Sequence, residues 1–185
     1  MTTTPVGYGT TARLFHWSMA VLVLATIPAG FLMVQEGLDR SLQNALFIFH
    51  KNVGVLLLIL IVARGVHRLR RPAPPLPAGM PGWQVRVAGA THGALYGLLF
   101  VMPVAGYVRV KAGGFPIETL DAIGLPSLVP RSDALAAAAK AVHFYGALAL
   151  AAVVALHVGA ALQHAILRRD GVFSRMWPPV APHRR

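Results

Sequence analysis

Residues 143–164 read HFYGALALAAVVALHVGAALQH, an apolar run that carries His143, His157 and His164. At about 100° per residue, fourteen steps stop about 40° short of four full turns, so His143 and His157 share one face of a helix. Their axial separation is about 21 Å at about 1.5 Å per residue. That is more than half of a hydrocarbon layer about 30 Å thick. Two imidazoles on one face, near opposite sides of a membrane, suit two stacked metal cofactors. Polar side chains packed inside a bundle are the alternative. Histidine recurring on other apolar segments tells against it.

The chain has 185 residues, 56% of them hydrophobic, and a mean hydropathy of +0.60. That composition indicates an integral membrane protein. There is no cysteine, which excludes thioether-bound haem, iron–sulfur clusters, thiol catalysis and disulfides together. The net charge of +11 would suggest nucleic acid in a soluble protein. Here the cations flank apolar segments, so they read as orientation signals and no nucleic-acid partner is expected. The first apolar segment lacks a short core with a small-residue cleavage site and reads as a retained anchor.

Four spans are expected, at about 13–34, 44–66, 87–108 and 136–167. The fold class is therefore all-α, a single integral membrane four-helix bundle over residues 1–185. Residues 1–11 form a polar lead-in. Pro28 and Gly30 should bend the outer end of the first span. His50 opens the second span, and Gly54 follows one turn later on the same face. Glycine there would let a flat macrocycle approach the backbone, with small-residue helix packing as the alternative. The Pro-rich connector PAPPLPAGMPGW (72–83) cannot be helix. Residues 109–134 form the longest loop, with a short helix expected in ETLDAIGL (118–125). A polar tail with Arg168, Arg169, Arg175, Arg184 and Arg185 closes the chain.

Orientation follows from the Lys and Arg count. One side holds Arg13, Arg64, Arg68, Arg70, Arg71, Arg86, Arg168, Arg169, Arg175, Arg184 and Arg185, eleven in all; the other holds Arg40, Lys51, Arg109, Lys111, Arg131 and Lys140, six. The second side also carries Glu36, Asp39, Glu118, Asp121 and Asp133, five of the six acids. Both termini and the Pro-rich connector are thus expected in the cytoplasm.

This orientation sorts the histidines by depth. His50 and His143 lie near the outer starts of inward-running helices. His16 lies near the inner start of the first span and His157 in the inner half of the last. The pairs are then His50 with His143 and His16 with His157, each drawn from two helices. Two imidazoles on one iron, with four porphyrin nitrogens, make a six-coordinate b-type haem. Zinc would want a third and fourth protein ligand, and no acid lies within the spans to supply one. The lack of acids there also weakens a proton-pump reading. His164, on the face of His157, remains an alternative partner for His16. His92 lies near the inner end of the third span, as site lining or as packing. His67 reads as a cationic interfacial residue and His183 as solvated.

Four motifs in order carry a resemblance: RLFHW (13–17), HKNVG with distal Arg64 (50–54), HGALY with PVAG (92–96, 103–106), and His143 with His157. Together they resemble the bacterial cytochrome b561 family, related to the di-haem b subunits of formate dehydrogenases and nickel–iron hydrogenases. The resemblance implies two b haems with axial ligands His16, His50, His143 and His157, which also hold the haem iron. It demotes His164 and leaves His92 outside the ligand set. It further implies electron transfer between a periplasmic-side donor and the quinone pool in the bacterial inner membrane. The compact size is similar to the superoxide oxidase type, which passes electrons from superoxide to ubiquinone.

Two functions follow from the resemblance. One is a superoxide:quinone oxidoreductase, with Lys51, Arg109, Lys111, Arg131 and Lys140 as an outer cationic entrance, Lys51 and Lys140 closest to the haem-bearing turns. Five acids share those loops and bring the outer formal charge to about +1, which counts against it. The other is the electron-transfer anchor of a periplasmic dehydrogenase or hydrogenase subunit. A non-redox structural or transport bundle is the third possibility. His92 and His164, with His16, are the ionisable groups nearest the inner interface and mark a quinone site there.

Overall fold

The computed structural model describes residues 7–76 and 79–179. The expected lead-in up to residue 6, His183, Arg184 and Arg185 lie outside the described residues. Four long helices cross the full height of the molecule: α1 (Thr10–Leu32), α2 (Arg40–Arg70), α3 (Gly82–Ala112) and α5 (Asp133–Leu162). A short α4 (Glu118–Ala122) lies in the long loop, where a helix was expected. No strand occurs among the described residues. The chain is an all-α bundle with four helices long and apolar enough to span a membrane.

The helices outrun the apolar windows. α2 has 31 residues against an apolar stretch of 23. At about 1.5 Å per residue it reaches the thickness of a bilayer with its headgroups, about 40–45 Å. The apolar stretch marks only the hydrocarbon part; arginines carry the helix on through the interface, their charged ends in water. Two of the starts are capped by side chains. Asp39 accepts from the Ser41 and Leu42 amides at 2.9 and 3.1 Å and caps α2. Ser132 caps α5 through the Leu135 amide at 3.3 Å. α1 continues through Pro28 to Leu32, and α3 through Pro103 to Ala112. The connector shows no helix over 72–76 and 79–81, but its last two residues, Gly82 and Trp83, already belong to α3.

Close backbone packing runs α1 to α2, α2 to α3, and α3 to α5. Helix α5 reaches α1 and α2 through histidine rings. The buried core, Met19, Val23, Leu57 and Ile61, with Tyr96, Leu99 and Val154 packed against it, lies midway along the bundle. Many large apolar side chains instead face outward, among them Val21, Ile59 and Phe144. Such a surface is unusual for a soluble monomer and suits lipid.

The end that carries both described chain termini is tied shut. Arg13 and Arg175 are nearly fully buried. Arg13 donates to the carbonyls of Tyr8 (2.8 Å) and Pro178 (2.9 Å). Arg175 donates to those of Pro74 (2.6 Å) and Pro75 (2.9 Å). The Trp17 indole donates to Met176 O at 2.8 Å. The tail thus folds back over the start of α1 and the Pro-rich connector. Buried guanidinium groups are tolerated here because carbonyl oxygens satisfy them.

Candidate functional site: two crossed histidine pairs

The structure brings the histidines together in two groups, one at each end of the apolar core. In the group at the α4 end, called outer after the orientation expected from the charges, the His50 and His143 ring centroids are 5.9 Å apart with planes at 76°. In the inner group, His16 and His157 are 6.0 Å apart at 72°. A metal between two imidazoles, with bonds of about 2.0–2.1 Å on each side, would separate the centroids by about 6.3–6.5 Å. Both pairs lie within a few tenths of an ångström of that separation. No group of three or more metal-ligating side chains occurs among the described residues, so a metal here would need ligands from a cofactor.

The outer pair is held for ligation. His50 Nδ1 faces Thr26 O at 3.1 Å, and His143 Nδ1 faces Met102 O at 3.0 Å. A carbonyl only accepts, so each Nδ1 carries the proton and donates it. Each Nε2 keeps its lone pair for a metal. Beside the pair lies a cavity of about 800 Å³, lined by His50, His143, Gly54, Gly106, Arg109 and Lys140 among others. That is the size of a cofactor site. A side chain built at Gly54 would meet no atom within 4 Å. Helix packing therefore does not require glycine there, and the position opens on the cavity. A b haem fits these residues.

The inner group is larger than expected. His157 meets His92 as well, at 5.5 Å. Arg64 Nη2 lies 3.3 Å from His16 Nδ1, and its guanidinium lies over the Tyr96 ring at 5.4 Å. Arginine only donates, so this contact places the proton of a neutral His16 on Nε2, the reverse of the outer rings. Ligation through Nε2 requires Arg64 to give up that contact. His164 stands apart from this cluster. It lies in a π-helical turn, Gln163–Arg168, and its Nδ1 pairs with Asp170 at 2.6 Å. Burial works against the Asp170 charge, and the bond to His164 outweighs it, holding the carboxyl below its usual range.

On the outer side the cations are not free. Lys51 Nζ bonds Glu118 at 2.6 Å and Pro116 O at 2.8 Å. Lys111 Nζ bonds Asp121 at 2.5 Å. Asn52 holds the Glu118 carboxylate at 3.0 Å and also bonds Thr119. Helix α4 is thereby buttoned onto α2 and α3, with Glu118 lining the cavity. The Lys111 bond holds Asp121 below its usual range. Partial burial opposes the Glu118 charge, but Lys51 and Asn52 outweigh it and lower its pKa too. Arg109, Arg131 and Lys140 make no ion pair among the described residues.

Sequence reading expected His50 with His143 and His16 with His157, and the rings of each pair meet in the structure; it missed the groups that support them. The carbonyls of Thr26 and Met102 leave no signal in a sequence. Arg64 and Tyr96 do: they stand four residues or a helix end away from histidines, at helical spacing.

The profile of the prokaryotic cytochrome b561 family matches residues 7–179. The chain is 32% identical over 176 residues to "Cytochrome b561 homolog 2" of Escherichia coli (strain K12), covering 95% of this chain and 93% of the relative. It is 29% identical over 167 residues to "Probable superoxide oxidase CybB" of Yersinia pestis, covering 88% and 91%. It is 26% identical over 163 residues to "Cytochrome b561 homolog 1" of Escherichia coli (strain K12), covering 88% and 92%.

Proposed function

From the premise that this chain belongs to the prokaryotic cytochrome b561 family, a haem b family of membrane electron carriers, we propose that it moves electrons from superoxide on the outer side to ubiquinone on the inner side. The carrying observation is the pair of histidine contacts, 5.9 and 6.0 Å apart between centroids, one above and one below the apolar core. His50 and His143 hold the outer haem, and His16 and His157 the inner. His157 pairs with His16 rather than His92 because 6.0 Å is nearer than 5.5 Å to the separation that a shared metal needs. Each haem, when bound, supplies one-electron transfer.

The chain's residues do the rest. Met19, Leu57 and Ile61 exclude water between the two levels. Glu118 of α4 lines the outer cavity beside His50. Arg109 and Lys140 line that cavity and favour an anion there. At the inner end His92, Arg64 and Tyr96 supply donors for a quinone carbonyl, and His164 with Asp170 can pass protons from the cytoplasm. Two superoxide anions lose one electron each and become two dioxygen molecules; one quinone takes both electrons and two protons.

The test is a superoxide pulse on purified, haem-loaded protein with a soluble ubiquinone, followed by stopped-flow absorbance. Rapid haem reduction that slows with salt supports the reading. A slow, salt-independent response refutes it.

A second reading, the membrane anchor of a redox subunit, has its own observation. Phe115, Ile123 and Leu128 on the outer loop are 65%, 74% and 73% exposed, an apolar patch beside the cavity that a partner would cover. Slow reaction with superoxide together with co-purification of a metalloenzyme subunit would select it.

A further inference from the structure

The outer imidazoles share one arrangement on two different helices. His50 rests against Gly30 of α1, with its Nδ1 on the carbonyl of Thr26, four residues earlier. His143 rests against Gly106 of α3, with its Nδ1 on the carbonyl of Met102, again four residues earlier. Residues i and i+4 adjoin on a helix face, so carbonyl and glycine make one seat: the first takes the proton, the second leaves space for the ring edge. A Cβ at position 30 would stand 2.7 Å from His50 Cε1 and 3.1 Å from Nδ1. A Cβ at position 106 would stand 3.1 and 3.3 Å from the same atoms of His143. Both contacts are tighter than carbon atoms accept without movement. No other glycine of the four long helices lies this close to His16, His92 or His157.

We propose that Gly30 and Gly106 are positioning residues for the outer haem, each forming with the carbonyl four residues before it a seat that fixes the tautomer and plane of one axial imidazole. The proposal rests on the reading of His50 and His143 as axial ligands. The seats keep the rings crossed, because each ring is oriented by a different helix. Alanine at either position pushes the ring off its carbonyl and turns Nε2 away from its partner.

Helix propensity works in the opposite direction, which makes the test sharp. Glycine to alanine inside a helix is stabilising where space allows. Gly65 and Gly97 have open space around them, so Gly65→Ala and Gly97→Ala should keep two haems per chain. Gly30→Ala should fall toward one, with the inner signal retained. Gly106→Ala, where the approach is looser, should lose less haem but shift the outer low-spin ferric resonance, which tracks the angle between ring planes. Haem per chain, redox difference spectra and electron paramagnetic resonance of the purified protein read all three. His50→Ala separates the two ways of failing. If it keeps both haems, the ligand reading falls. If it loses one while Gly30→Ala and Gly106→Ala keep both with unshifted resonances, the seats fall alone. A Gly30→Ala protein that does not accumulate leaves Gly106→Ala to decide: an unshifted outer resonance there overturns the proposal.

Discussion

Replacing Arg64 with glutamine removes a cation from the inner histidine cluster and should change how firmly that site holds an electron. Arg64 Nη2 stands 3.3 Å from His16 Nδ1; a guanidinium that yields this contact on ligation but stays over the Tyr96 ring would still lie about 8 Å from a metal midway between the His16 and His157 rings. No acid pairs with Arg64 among the described residues. At an effective dielectric constant of about 20, a unit charge at that distance contributes about 2 kcal/mol. For one electron that corresponds to about 90 mV, since a tenfold change is about 1.4 kcal/mol or 59 mV. A cation favours the reduced state, so Arg64→Gln should lower the inner midpoint by about this much. The outer pair is about 20 Å further along the bundle and should move by less than about half as much. The outer rings, by contrast, donate to carbonyls, which makes them more electron-rich ligands. The unaltered protein should therefore show the higher midpoint at the inner site, with electrons running downhill toward it. Potentiometric titration followed by visible absorbance resolves both steps. An inner midpoint that does not move, or an outer one that moves more, would refute the reasoning.

His157→Ala and His16→Ala should each lose the inner haem and keep the outer, whereas His92→Ala and His164→Ala should keep two; haem stoichiometry decides, and loss from His92→Ala in place of His16→Ala would exchange the ligand. Quinone reduction should fall in His92→Ala with both haems present, measured in steady state with a soluble quinone. Lys140→Glu should slow haem reduction by superoxide about two- to fivefold at low ionic strength, and Glu118→Gln should raise it, both effects fading once salt shortens the screening length below about 8 Å. The buttoning of α4 should fail in acid. Glu118 and Asp121 are held below their ordinary values of 4.5 and 3.8, so the stabilisation they give is complete above those values and disappears as pH falls through the lowered ones. Hydrogen exchange of residues 113–130 should accelerate there, and Glu118→Gln should exchange fast already at neutral pH.

Much of this architecture was legible in the order of residues. Four apolar stretches are too long for anything but spans, and charge asymmetry set which histidines share a depth. Fourteen-residue spacing then put His143 and His157 on one face, because helical rotation nearly closes after that many steps. What stayed hidden depends on contacts between helices. Gly30 stood out only as a bend beside Pro28, since nothing local says that His50 of another helix will rest on it. Lys51 read as a free cation because its partner, Glu118, lies 67 positions away. Arg64 read as an interfacial charge because three more arginines follow it, yet it alone turns inward to His16. The burial of Arg13 and Arg175 was equally silent, for the groups that satisfy them are backbone carbonyls, which every residue carries.

The tie at the closed end draws together distant parts of the chain. Residues 173–178 follow every spanning helix in the order of synthesis, yet they grip Trp17 and Arg13 at the beginning of the first and the connector between the second and third. One short stretch thus joins the start of α1 to the connector between α2 and α3, two places far apart in the chain, so that loosening it would loosen both at once.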